Sequence, residues 1–355
     1  MIKRRPKTFF SKAQIDIQFN WVFILLIGAI ILSFFVGIAI WYKDTQEQKI
    51  TGQIVLELES LLKAAKESPK TARETTLPDI TLTFTCSPDE CSDYGCASDF
   101  SGGGISRSTE TEILFAPLTL SGTTLISWAL EWQLPYKIAN FLYVTADSVR
   151  YVIVYDEDHQ ETAIAVTSLL AENSYITKET IRVKQPSDFS ITDKNDAYVR
   201  IVAFLDTGSL SENVIDNALD KKEWDIIYVD GTEDSGTITF SDGDAIYVGL
   251  PALLGAIFSS DLAFYQCNIK KAGLQATVVG EVYAGRTAAL YDSFLADPEK
   301  SYCRYYYEES IQEAITSIAN ELVDEAPSVT TISTAVSTLE DNNAYAVIKG
   351  CSRVY

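Results

Sequence analysis

The stretch Trp21 to Trp41, WVFILLIGAIILSFFVGIAIW, constrains this chain more than any other. It runs without a charge, and Ser33 is its single polar side chain. As a helix rising 1.5 Å per residue it spans about 31 Å, the thickness of a bilayer's hydrocarbon core. A Trp stands at each end, Tyr42 follows, and Lys3, Arg4, Arg5, Lys7 and Lys12 cluster on one side only. Interfacial aromatics with a positive inner flank mark a membrane span rather than the buried helix of a soluble core. The expectation is one transmembrane helix over 21–42 in the cell membrane, in contact with the lipid bilayer. The N-terminus is then cytoplasmic and residues 43–355 are extracytoplasmic.

Charge sharpens this division. Residues 1–20 carry five basic groups against Asp16, whereas the chain beyond Lys43 carries 22 basic and 48 acidic groups, a net of −26. So acidic an exterior repels nucleic acid and anionic lipid surfaces, which excludes both as its partners. The 47% hydrophobic fraction, with 19 Tyr and 16 Phe, argues for folded domains outside the membrane.

Six cysteines lie in that exterior, where disulfides persist. Cys86, Cys91 and Cys96 form one group, and Cys267, Cys303 and Cys351 the other. Three is odd, so full pairing requires at least one bridge between the groups, bringing the two ends of the exterior part together. Two free thiols are the alternative. The wide spacing of the first group lacks the CxxC knuckle of a zinc site.

The tail leaves two fates open. An uncleaved signal anchor fits, because the residues after the apolar run, WYKDTQEQK, offer no small-x-small cleavage site. Ser11-Lys12-Ala13-Gln14 also resembles the archaeal class III, prepilin-like signal, which implies cleavage between Ala13 and Gln14 and a pilin-like subunit. Asp16, Gln18 and Asn20 stand between that point and the apolar segment.

Along the chain, 1–20 reads as a basic inner tail and 43–68 as a stalk helix continuing the span. Ile54, Leu58, Leu61 and Ala65 form a stripe along that stalk, which makes 54–65 the candidate for self-association. Pro69 to Pro78 reads as a turn or linker. Residues 79–147 alternate like strands, with a flexible turn at Gly102-Gly103-Gly104. Trp128, Trp132, Tyr136, Phe141 and Tyr143 make an aromatic patch, to be read as sheet core or as a carbohydrate-stacking platform. Residues 148–258 alternate strand and helix: RYVIVYD, ETAIAVTSLLAE, ETIRVK, AYVRIVAFLD, SENVIDNALDKKE, WDIIYVDG and a hairpin. That alternation predicts right-handed crossovers and a mostly parallel, Rossmann-like α/β sheet. Leu250-Pro251 reads as its end, and 259–355 as a helical, disulfide-stapled unit. The fold class is therefore an α/β exterior part with a helical C-terminal part, on one long N-terminal transmembrane and stalk helix.

In an open parallel sheet, ligands bind beyond the carboxyl ends of the strands. Those ends carry Asp156 and Asp158, Asp206, and Asp230. They are candidate oxygen ligands for Mg²⁺ or Ca²⁺, the one cofactor class these turns would suit, and Asp156, Asp206 and Asp230 are the candidate catalytic carboxylates. Asp also caps helices and closes turns, which supplies a structural reading for the same residues. His159 is the only histidine, so every two-histidine zinc site is excluded. AFLDTGS, at Ala203 to Ser209, resembles the aspartic-protease Asp-Thr-Gly signature. That chemistry needs two carboxylates sharing a proton, and the motif occurs once here.

QFNWVFILLIGAIIL, PYKIANFLYVT, AFYQCNIKKA and the terminal Cys-x-x-x-Tyr together resemble N-terminally anchored, single-pass surface proteins of small-genome archaea. The resemblance implies location and topology and carries no activity with it. Two classes of function follow. The first is a non-enzymatic envelope protein for adhesion, assembly or docking of an envelope partner. The second is an anchored metal-dependent hydrolase on the acidic turns.

Overall fold

The computed structural model describes residues 21–42, 59–60, 63–64, 72–77, 81–88, 91, 96–102, 105–109, 112–194, 196–219, 222–324 and 327–355. The basic tail, the Ala13–Gln14 point, the Gly103-Gly104 turn and most of the 43–68 stretch lie outside these residues. Within that stretch 59–60 and 63–64 are helical. The chain divides into two compact units, Met1–Gln53 and Ile54–Tyr355.

In the first unit, helix α1 covers Trp21–Tyr42 with a mean hydropathy of 2.9 and none of its most apolar window buried. By length and composition it qualifies as a membrane span or a signal sequence.

The first strands of the second unit are β1 (Ala72–Thr76), β2 (Thr81–Cys86), β3 (Ser98–Gly102), β4 (Ile105–Thr109), β5 (Ile113–Phe115), β6 (Thr119–Ser121), β7 (Thr124–Gln133) and β8 (Lys137–Ala146). They make two four-stranded sheets, ordered β1-β7-β8-β5 and β4-β3-β2-β6. The stretch expected as a linker therefore holds a strand. ARETT has no apolar alternation to announce it, and it forms because it pairs antiparallel with β7, Ala72 opposite Trp128 and Thr76 opposite Thr124. The aromatic patch is core: Trp128, Trp132, Tyr136, Phe141 and Tyr143 are all buried. Trp132 stacks on Phe141 at 4.9 Å between ring centroids, and Trp128 meets Tyr143 at 5.5 Å. No ring face is left for a sugar.

A six-stranded sheet follows, built from β9 (Val149–Tyr155), β10 (Thr177–Arg182), β11 (Tyr198–Phe204), β12 (Glu223–Gly231), β13 (Ser235–Phe240) and β14 (Gly243–Val248). Its order is β10-β9-β11-β12-β13-β14; the first four strands are parallel, and the last two are added as an antiparallel hairpin. Period-2 alternation sends successive side chains to opposite faces. Tyr151, Ile153, Val202 and Phe204 share one core with Ala163, Val166 and Leu170 of α2 (Gln160–Glu172). Val152, Val154, Val199, Ile201 and Ala203 share a second core with Ile215 and Leu219 of α3 (Glu212–Leu219). Helices thus cover both faces, which is why these strands read as nearly continuous apolar runs.

The C-terminal part is helical: α4 (Leu250–Phe258), α5 (Leu262–Leu295), α6 (Glu309–Val323) and α7 (Val329–Ile348). Leu250-Pro251 opens a helix. Pro sits in the first turn of α4, where its missing N–H costs nothing. The chain breaks at Ser259–Asp261, and the Asp261 carboxylate caps α5 by accepting from Phe264 N at 2.8 Å. Gly273 lets α5 and α6 approach closely, since a Cβ there would lie 2.5 Å from the carbonyl oxygen of Leu322. One hydrophobic core runs from Leu77 through both small sheets, one face of the large sheet and α4 to α7.

Two buried cations interrupt these apolar strands. Arg150 in β9 binds Glu179 at 2.9 Å, Asp196 at 3.1 Å and the Thr192 carbonyl at 3.0 Å. Arg200 in β11 pairs with Asp225 of β12 and donates to the carbonyls of Ala256, Ile257 and Ser259 at the C-terminal end of α4. Burial raises the Asp225 carboxyl above its ordinary range, against the pull of Arg200.

Removing the Arg200 charge takes the cationic partner from the half-buried Asp225 carboxylate and a donor from three carbonyls at the end of α4. Arg200→Met is expected to cost about 3–5 kcal/mol in denaturant unfolding, with Arg200→Lys recovering only part because a point ammonium cannot reach four acceptors. A loss within about 1 kcal/mol of the parent would reject that accounting. At the α5–α6 crossing, Gly273→Ala is expected to cost about 1–3 kcal/mol by the same measurement, because backbone, not a movable side chain, opposes the added methyl.

Candidate functional site

The acidic edge of the large sheet comes first. Asp156 follows β9, and its Oδ1 accepts from the backbone N–H groups of Asp158 and His159 at 3.1 Å each, with His159 Nδ1 at 2.9 Å. It closes the turn that launches α2 at Gln160. Partial burial pushes the Asp156 carboxyl up, but hydrogen bonds from the His159 ring and backbone outweigh it and hold the group below its ordinary 3.8. Asp158 is exposed. Asp206 is also exposed, two residues past β11, where its carbonyl accepts from Ser209 N at 3.0 Å. Asp230 is not in a turn: it is an exposed residue of β12 opposite Thr237 of β13, and the strand runs on to Gly231.

These carboxylates are not gathered into a ligand set. Among the described residues, the only group of three or more His, Cys, Asp or Glu ligand atoms lying within 4.8 Å of one another is Cys91, Cys96 and Cys267. The Asp156 carboxylate instead does local work, closing its own turn.

Composition and spacing gave no sign of the second feature, a groove of about 520 Å³ between the β13–β14 hairpin, the first turns of α5, the end of α6 and Pro327 ahead of α7. Ile246, Tyr265, Ile269 and Leu322 line it, with Asp244, Lys270 and Asp324 as charged groups. The Tyr265 hydroxyl donates to the Ile246 carbonyl at 3.0 Å, and burial holds its acidity far below that of a free phenol.

The third feature is sulfur. Three disulfides join Cys86 to Cys267, Cys91 to Cys96, and Cys303 to Cys351. The first links the end of β2 to α5, and so connects the early cysteine group to the late one. Cys91 Sγ lies 4.0 Å from Cys267 Sγ, so the two bridges touch. Beside them, Ser98 Oγ donates to Cys86 Sγ at 3.1 Å, and the buried Lys271 ammonium donates to Ser98 Oγ at 2.6 Å and to the Glu112 carbonyl at 3.2 Å. Pro88, between Cys86 and Cys91 in sequence, lines the groove. Lys271 was visible in the sequence only as one charge of NIKKAG; its burial depends on the sheet it meets.

Compared with known proteins, the chain matches no family model, no curated protein and no solved structure.

If Asp156 serves the turn, Asp156→Ala lowers stability by about 1 kcal/mol, the same with and without Mg²⁺ or Ca²⁺. The depressed carboxyl sets the sign with pH. Its contribution is full above 3.8 and fades as pH falls through the lower folded-state value, so parent and variant converge in acid. Thermal unfolding across pH and cation concentration checks this. Cation stabilisation of the parent that is missing from the variant would point to a metal ligand.

Proposed function

We propose that this chain is a single-pass membrane protein, its basic tail in the cytoplasm and its acidic, disulfide-bonded body outside. There it serves as a non-enzymatic surface component in adhesion, assembly or partner docking. The observation that carries this reading is α1, 22 residues long, uncharged and unburied. The basic cluster preceding it supports the orientation by the positive-inside rule. Three disulfides support an oxidising compartment for the body. The resemblance to anchored surface proteins of small-genome archaea supports the same topology.

The four parallel strands run in the order second, first, third, fourth, with a helix on each face, and this supports a doubly wound, Rossmann-like reading of the large sheet. In such sheets the switch point lies between the first and third strands, here β9 and β11. Asp156, at that point, is engaged with Asp158 and His159 in the turn before α2, and Asp206 is exposed, so no observation favours the metal-dependent hydrolase. The groove gives the docking reading a place on the body. The pilin-like variant rests on Ser11-Lys12-Ala13-Gln14 alone.

Alkaline extraction of membranes, external proteolysis of intact cells and mass spectrometry of the mature N-terminus test this together. An anchored protein stays in the membrane, and external protease removes the body but leaves a fragment containing 21–42. Release into the medium with a new N-terminus beyond Trp41 would identify α1 as a cleaved signal and end the anchor reading. A mature chain starting at Gln14 would select the pilin-like variant.

A further inference from the structure

We propose that Cys86, Cys91, Cys96 and Cys267 form a dithiol–disulfide exchange site, at which a dithiol reductant moves the covalent tether of α5 from Cys86 to Cys91. Three observations converge. The two bridges are in sulfur contact, Cys91 Sγ lying 4.0 Å from Cys267 Sγ. Access is graded: Cys91 is half-buried, while Cys86, Cys96 and Cys267 are buried. A buried cation stands behind one sulfur, with Lys271 Nζ 2.6 Å from Ser98 Oγ and Ser98 Oγ 3.1 Å from Cys86 Sγ. A bridge kept only as a staple needs none of these. A nearby ammonium acting through a hydroxyl donor stabilises a thiolate, so Cys86 is a good leaving group.

The step balances as follows. One thiolate of the dithiol attacks Cys91 Sγ, breaks the Cys91–Cys96 bond and expels the Cys96 thiolate. The second thiol of the reductant then closes on its own sulfur, expelling the Cys91 thiolate. The reductant leaves as its disulfide, having lost two electrons to the chain. Cys91 thiolate attacks Cys267 Sγ, forms Cys91–Cys267 and breaks Cys86–Cys267. The electron pair of that bond stays on Cys86, whose thiolate accepts the hydrogen bond of Ser98 beside Lys271. The two protons of the dithiol end on Cys96 and the medium, or on Cys86 as pH falls. The product holds one bridge where there were two, and Cys86 and Cys96 are free.

The full chain in detergent micelles gives the test. Cys96→Ser leaves a Cys91 thiol beside an intact Cys86–Cys267 bridge. After incubation at mildly alkaline pH, alkylation and cleavage after acidic residues, Asp89, Glu90 and Asp93 separate the three early cysteines onto different peptides. The expected result is a Cys91–Cys267 peptide in at least about a tenth of the molecules, with Cys86 alkylated to the same extent. Lys271→Met in that background is expected to lower this share by about tenfold, while Cys303–Cys351 stays paired as the internal control. Cys86–Cys267 alone, with alkylation confined to Cys91, would overturn the proposal. Should these variants fail to fold, the parent chain titrated with dithiothreitol still decides. A first two-electron product carrying Cys91–Cys267, with Cys86 and Cys96 alkylated, supports the site. One that keeps Cys86–Cys267 with Cys91 and Cys96 alkylated overturns it, as does a chain purified with zinc on four protected thiols.

Discussion

The body of this protein hangs on how Arg200 is buried. A guanidinium inside an apolar strand is tolerable only if its donors are used, and here they are spent on Asp225 of the neighbouring strand and on three carbonyls closing α4. Those carbonyls lie in the last turn and at the cap of α4, where a helix runs out of its own donors, so one side chain meets two needs. The opposite end of α4 is held as specifically. Tyr143 OH donates to the Pro251 carbonyl at 2.7 Å, and Trp132 Nε1 to the Val248 carbonyl at 2.9 Å. Between these ends Gly255 admits the Phe115 ring to within 2.8 Å of where a Cβ would stand. α4 is therefore pinned to the large sheet at one end and to the first small sheet at the other. A buried ion pair adds little net stability, so its contribution here lies in fixing one arrangement of apolar layers that could pack in several.

Helix α5 repeats the device with different bonds. Phe264, Cys267, Asn268 and Lys271 recur at the three- and four-residue spacing that places side chains on one helix face. Asn268 Oδ1 accepts from Leu114 N at 3.0 Å and its Nδ2 donates to the Phe264 carbonyl at 3.0 Å. Cys267 binds Cys86 of β2, and Lys271 reaches Ser98 of β3. One helical stripe thus holds three strands, by an amide, a disulfide and an ammonium.

How much of this could be read from the chain depends on whether the cause was local. The apolar run of α1 and the strand–helix alternation after Val149 are properties of short windows, and they were legible. β1 was not, because ARETT becomes a strand only when β7 offers it an edge. The cations were half legible: VRYVIVY and YVRIVAF each place an Arg where an apolar residue is due, a sign that a buried partner exists without saying which. The groove was invisible, its walls coming from a hairpin, the start of one helix and the end of another, far apart in sequence. Asp156, Asp206 and Asp230 look alike in sequence and differ in the fold: the first closes a turn with its carboxylate, the second is exposed past β11, and the third is an exposed residue within β12. Strand ends collect Asp because turns and helix starts use carboxylates, and that use is indistinguishable in sequence from metal binding.

The sulfur cluster shows why position can matter more than the number of bridges. Cys86–Cys267 spans 181 residues, and in the chain-entropy account a loop of that length is worth about 5 kcal/mol to the folded state. Cys91 lies 176 residues from Cys267, so transferring the tether changes that term by only about 0.02 kcal/mol. Loop entropy therefore cannot choose between the two pairings, and each leaves the start of the body covalently tied to α5. What distinguishes them is the native environment of the sulfur that is released: Cys86 beside Ser98 and Lys271, or Cys91 at the half-exposed rim. A buried ammonium placed behind the inner sulfur lowers the cost of freeing it and leaves the global staple intact, which is the combination an exchangeable tether requires.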